Sequence, residues 1–108
     1  LWPVIVAGAM STVLTGCVSD EIPEVSADDA ELVTGREVYA RNCVACHGAA
    51  GQGGTGPKLS DGAVVERYPD IADHIDIIVN GRNQMPAYGG KLTDDEIEAV
   101  VRYNREVL

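Results

Sequence analysis

Cys43-Val44-Ala45-Cys46-His47 restricts what this chain can fold into more than any other stretch of it. Two thiols three residues apart on one turn can each add to a vinyl group of the same porphyrin. The imidazole that follows directly then sits beneath the porphyrin centre, where a ring nitrogen can bind iron. The C-x-x-C-H pattern therefore reads as the attachment site of one covalently held c-type haem. Two other readings of the cysteine pair fare worse. Structural zinc takes four nitrogen or sulfur ligands, and beyond the pentapeptide only His74 and Cys17 remain. A thioredoxin-like redox pair belongs in a βαβ unit, and the flanks lack strand-like alternation.

The composition agrees with a buried cofactor. A chain of 108 residues suffices for one small domain. Phe is absent and aromatic residues make up 5%, so a polypeptide core of this size is marginal unaided. A haem would supply the missing apolar bulk.

Leu1 to Leu14 is uncharged and mostly apolar. It is shorter than the roughly 20 residues of a membrane-spanning helix, and it suits the apolar region of a signal peptide. It runs into Leu14-Thr15-Gly16-Cys17, which resembles a bacterial lipobox. The resemblance implies cleavage before Cys17 and lipidation of its thiol. A chance cysteine, or a thiol for an intermolecular disulfide, is the competing reading. No Lys or Arg precedes Arg36 and the first residue is Leu. The leader's start is therefore either missing or an unusual start codon read literally. We read 1–16 as signal peptide, 17–27 as a lipid-anchored acidic linker and 28–108 as the domain. Asp20, Glu21, Pro23 and Glu24 give the linker the character of a flexible tether.

The domain reads as all-α. Asp28 to Asn42 forms a first helix, with Ser26 or Ala27 before an acidic first turn. Leu32, Gly35 and Tyr39 share a face that leads into Cys43. Residues 49–56 are glycine-rich loop. Pro69 stands at a second helix start, and Ile71, Ile75, Ile78 and Val79 give its buried face before Gly81 stops it. Arg82 to Leu92 is a second loop. Thr93 and Glu96 form a capping box for the last helix, whose stripe is Ile97, Val100, Val101 and Val107, with Tyr103 beside it.

Taken together, the landmarks resemble the class I, monohaem cytochromes c. They are Gly35, Tyr39, Cys43, Cys46, His47 and Gly48, then Gly56-Pro57 and Leu59, then Met85-Pro86, then Tyr103. The resemblance implies a small fold of three to four helices packed around one haem. The first and last helices would cross at Gly35 against Tyr103. Cys43 and Cys46 would carry the thioethers, and His47 would be the proximal iron ligand. Pro57 would offer its carbonyl to the imidazole N–H, Leu59 would pack on the haem, and Met85 would be the distal ligand. Met10, the other methionine, lies in the leader. His74 is the rival distal ligand. Flanked by Asp70, Asp73 and Asp76, it reads as a solvated residue beside the buried face.

All charged residues follow Cys17, so an exported form keeps the formal net charge of −9. That sign disfavours nucleic acid and favours redox partners with a basic docking patch. With no substrate chemistry evident, the expected role is not enzymatic. It is a monomeric one-electron carrier, anchored through lipid on the extracytoplasmic (periplasmic) side of a bacterial membrane. A haem enzyme or gas sensor with an open sixth iron position is the alternative, as is the haem subunit of a larger respiratory or dehydrogenase complex. The anchor is testable by fractionation. Cys17→Ser is expected to move the protein from the membrane fraction to the soluble exported fraction. Equal retention of the variant would point to an uncleaved apolar anchor.

Overall fold

Asp29 sets where the first helix begins. Its carboxylate accepts from the Leu32 backbone N–H at 3.0 Å in the computed structural model, which describes residues 21–108 together with Pro3, Gly8 and Ala9. This cap satisfies one donor that a helix start leaves unpaired. Helix α1 therefore spans Ala30–Asn42, beginning two residues later than the charge pattern suggested. Four more helices follow: α2 Val44–His47, α3 Ala63–Arg67, α4 Ile71–Asn80 and α5 Asp94–Glu106. The three long ones are those legible from periodicity. The two short ones are single turns that periodicity cannot resolve. The described residues form an all-α domain, and none of these helices is long and apolar enough to cross a membrane.

Local chemistry ends the other helices too. Asp70 caps α4 by accepting from Ala72 N–H at 2.9 Å, so Pro69 lies just outside it, and Gly81 ends it at φ 69°. At α5 the capping box closes both ways. Thr93 Oγ1 accepts from Glu96 N–H at 3.2 Å, and Glu96 Oε1 accepts from Thr93 N–H at 3.0 Å.

Helices α1 and α5 form the frame, packed across each other. Arg102 near the end of α5 donates two bonds of 2.7 Å to Asp29 at the start of α1. Arg41 at the end of α1 meets Glu96 at the start of α5, 3.8 Å away. Between these contacts the backbones close up at Gly35. A Cβ there would collide with the Ala99 carbonyl and lie 2.8 Å from Tyr103 Cβ. The Tyr39 and Tyr103 rings pack beside the crossing, 5.5 Å apart and tilted by 44°.

Two expectations are corrected here. The chain is already fastened from Ile22, so the flexible-tether reading does not extend over 22–25. Arg36 donates to the Ile22 and Pro23 carbonyls at 3.0 Å each, and Tyr103 Oη donates to Pro23 O at 2.8 Å. Ile22 and Val25 pack against the core. The buried face of α4 is also rotated from the predicted one. Ile71 is 53% exposed, whereas His74 and Ile78 are buried at 2% and 6%. His74 and Ile78 are themselves i, i+4 neighbours, so two overlapping stripes competed for the core. Cys17 and the lipobox lie outside the described residues.

The crossing gives a direct test. Gly35→Ala forces a methyl against a backbone carbonyl that cannot swing aside, an overpacking worth about 2–3 kcal/mol or more. Denaturant unfolding of the haem-loaded protein should show that loss. An unchanged midpoint would contradict the close approach.

Candidate functional site

Helix α1 delivers Cys43, and the single turn of α2 carries Cys46 and His47 around it. The turn closes through His47 N–H to Cys43 O at 2.9 Å. The loop after it then folds back beneath the imidazole. Gly53 N–H bonds to His47 O and Gly56 N–H to Cys46 O, each at 2.7 Å. Gly56 lies so close that a Cβ would stand 2.9 Å from His47 Cε1. The same loop brings the Pro57 carbonyl to 2.8 Å from His47 Nδ1. A carbonyl only accepts, so Nδ1 carries the proton and Nε2 keeps its lone pair for a metal.

These residues border a cavity of about 570 Å³. Cys43, Cys46, His47, Pro57, Leu59 and Met85 all line it, so every haem-site candidate in 21–108 converges on one space. Val64, Ile77, Ile78, Leu92 and Val100 supply apolar wall. Burial pushes the Cys43 thiol up to about 12, with Cys46 adding to the effect. Such a thiol resists forming the thiolate that zinc binds. A neutral thioether carries no such penalty. The donor set, the cradle at Gly56 and the apolar wall fit a haem.

Met85 reaches this cavity from a pinned loop. Arg82 N–H bonds to Met85 O at 3.1 Å, and Met85 N–H returns the bond to Arg82 O at 2.9 Å. Asn83 takes the left-handed conformation this tight turn requires, at φ 54°. Beyond it, Tyr88 and Gly89 N–H groups bond to the Ile78 and Val79 carbonyls of α4 at 2.9 and 3.1 Å. The loop's entry and exit are thus both tied to α4.

His74 is not the solvated residue its acidic neighbours suggested. It lines the same cavity, and its ring stacks on Tyr68 with centroids 5.9 Å apart. Burial, with a smaller effect from Arg105, lowers its pKa to about 4. Its Nδ1 has no partner among the described residues, and neither has the buried Oδ1 of Asn104, also in the cavity wall. Asn104 follows Val100 by one turn on the buried stripe of α5, a signal that its polarity masked. Tyr88 was missed as well. Its hydroxyl donates to Asn42 O at 3.1 Å and ties the Met85 loop to the end of α1.

A helical frame crossed at a glycine, with one haem-sized cavity between a tethered histidine and a looped methionine, defines a small cytochrome c. Comparison with known proteins agrees. Residues 30–103 match the family model described as cytochrome c oxidase, cbb3-type, subunit III. Cytochrome c6 of Chlorolobion braunii is 35% identical over 79 residues, covering 69% of this chain and 89% of that one. The structure of cytochrome c6 from the diatom Phaeodactylum tricornutum superposes with a TM-score of 0.58 at 32% identity, covering 68% of this chain and 88% of that one. Dihydro-heme d1 dehydrogenase NirN gives a TM-score of 0.64 at 34% identity, covering 69% of this chain but 16% of NirN. Coverage of individual cytochrome c6 relatives varies, falling to 55% for one of them. The chain belongs to the class I, monohaem cytochrome c family, whose members are electron transfer proteins carrying one covalently bound c-type haem.

Proposed function

We propose that this protein shuttles single electrons between redox proteins on the extracytoplasmic side of a bacterial membrane. Cys43 and Cys46 hold the haem, His47 is its proximal ligand and Met85 its distal one. The observation that carries the proposal is the convergence of these four side chains on one cavity, with His47 Nδ1 fixed by Pro57 O at 2.8 Å. When bound, the haem supplies a one-electron Fe(III)/Fe(II) couple. The chain sets the terms of that couple. Pro57 holds the imidazole in one tautomer and raises its basicity. The Met85 thioether, a soft neutral donor, favours the reduced ion and so a higher potential. The apolar wall keeps water from the metal.

Lipid attachment at Cys17 would hold the carrier at the membrane surface, with the acidic segment after it as a short lead into the domain. The net charge of −9 supports long-range attraction to a basic partner, weakened by salt. The cavity wall includes Arg67 and Arg82 and no carboxylate.

A second reading has one observation in its favour. The NirN neighbour places a domain of this kind inside a much longer enzyme chain, of which it covers 16%. This protein would then serve as the electron-entry domain of a larger assembly.

Axial ligation separates a carrier from a haem enzyme or sensor with an open iron. Met85→Ala is expected to free the sixth position, allow carbon monoxide to bind the reduced protein, and lower the potential. Met85→His should stay six-coordinate and also lower the potential, because imidazole stabilises Fe(III) better than a thioether does. A Met85→Ala protein that stays six-coordinate at unchanged potential would overturn the Met85 assignment and bring His74 forward.

A further inference from the structure

The cavity can be followed from the cysteines to its other end. At one end are the cysteines. Tyr88 reaches Asn42 O there, Leu92 follows, and Arg41 at the end of α1 meets Glu96 at the start of α5. Helix α5 then passes along the cavity through Val100 to Asn104. Arg105, one residue on, donates to the Tyr68 and Pro69 carbonyls at 2.7 and 3.2 Å. That contact fixes the end of α3 and the start of α4 at the far end of the cavity. Helix α4 returns toward the cysteines, reaching Tyr88 through Ile78 O. His74 precedes Gly81 by seven residues, about 10 Å at the rise of an α-helix, and so belongs to the far end.

A haem carries its vinyl groups and its propionates on opposite edges. With the vinyl edge bonded to Cys43 and Cys46, the propionate edge would lie toward the far end. Here the wall carries buried polar side chains. Arg67, His74 and Asn104 all line it. His74 and Asn104 each hold a buried polar atom without a partner among the described residues, an arrangement that is costly unless something satisfies it. Arg67 is exposed, and its guanidinium has no partner among the described residues. Arg82, in the Met85 loop, is likewise without one, whereas Arg36, Arg41, Arg102 and Arg105 are engaged by carboxylates or carbonyls. A guanidinium left open at the rim of this cavity is available to an anionic group of the ligand.

We propose that Arg67, His74 and Asn104 form the receiving corner for the haem propionates. Arg67 supplies a charge-assisted bond at the cavity rim, and His74 and Asn104 supply the buried polar contacts behind it. Tyr68, stacked on His74, holds the imidazole in place. His74 is thereby a positioning residue for the cofactor and not an iron ligand. The charge on Arg67 partly cancels the propionates, which favours the reduced haem. This inference rests on the haem reading above.

The test uses haem-loaded full-length protein, with resonance Raman spectra of the propionate-bending modes and a potentiometric titration. Arg67→Gln and His74→Leu are compared with Arg41→Gln, which removes the same charge as Arg67→Gln from a site outside the cavity. Arg67→Gln changes an exposed side chain, so the core is retained. Expected are shifted propionate bands in Arg67→Gln and His74→Leu with axial ligation unchanged, no band shift in Arg41→Gln, and a larger potential drop for Arg67→Gln than for Arg41→Gln. Unshifted propionate bands in both cavity variants would overturn the proposal. Wild-type protein without bound haem would instead refute the reading beneath it, so the two failures are distinct.

Discussion

The rest of the structure depends on the close crossing of α1 and α5 at Gly35. The glycine lets the two backbones meet, Tyr39 and Tyr103 lock the meeting from the side, and Arg102 with Asp29 ties one end of it. Once the two helices are fixed against each other, the ends of the cavity follow. The C-terminus of α1 presents Cys43 beside the start of α5, and the end of α5 holds the α3–α4 corner through Arg105. The loops have little regular structure of their own. They are positioned by backbone bonds to these helices, as Gly53 is to His47 and Tyr88 to Ile78. A site built this way can hold groups from the α2 turn and two loops in register, because each loop spans only a short distance between fixed points.

Much of this was legible in the residues. The C-x-x-C-H turn, the Thr93–Glu96 capping box and the Gly81 stop are local signals, determined by bonds within a few positions, and local chemistry reads directly from sequence. Helix starts were less legible because several capping residues stood side by side. Ser26, Asp28 and Asp29 all suit an N-cap, and the bidentate contact of Asp29 with Arg102, 73 positions away, helps favour the last of them. The strap at Ile22 was hidden for a related reason. Its anchoring uses backbone carbonyls, which every residue has, held by Arg36 and Tyr103 from distant positions.

His74 and Asn104 show a different limit. Polarity argues for exposure, and both residues are buried. The periodicity of α4 allows either Ile71 with Ile75 or His74 with Ile78 to face inward. Hydrophobicity alone prefers the isoleucines. The structure turns the histidine in, leaving Ile71 on the surface. A protein lined only for an apolar ligand would gain nothing from that choice. A haem is apolar across its ring and doubly anionic at one edge, so its cavity gains from polar groups where that edge would lie. The residue that sequence reasoning misplaced is one that the cofactor's own asymmetry accounts for.

The central claim is that Cys43 and Cys46 hold a haem covalently, and the mass of the denatured polypeptide tests it most directly. Protein matured in cells competent for haem attachment should retain one haem of added mass after unfolding and acid extraction. The added mass should disappear when both cysteines are replaced by serine. A denatured wild-type chain with the mass of the bare polypeptide would contradict the account.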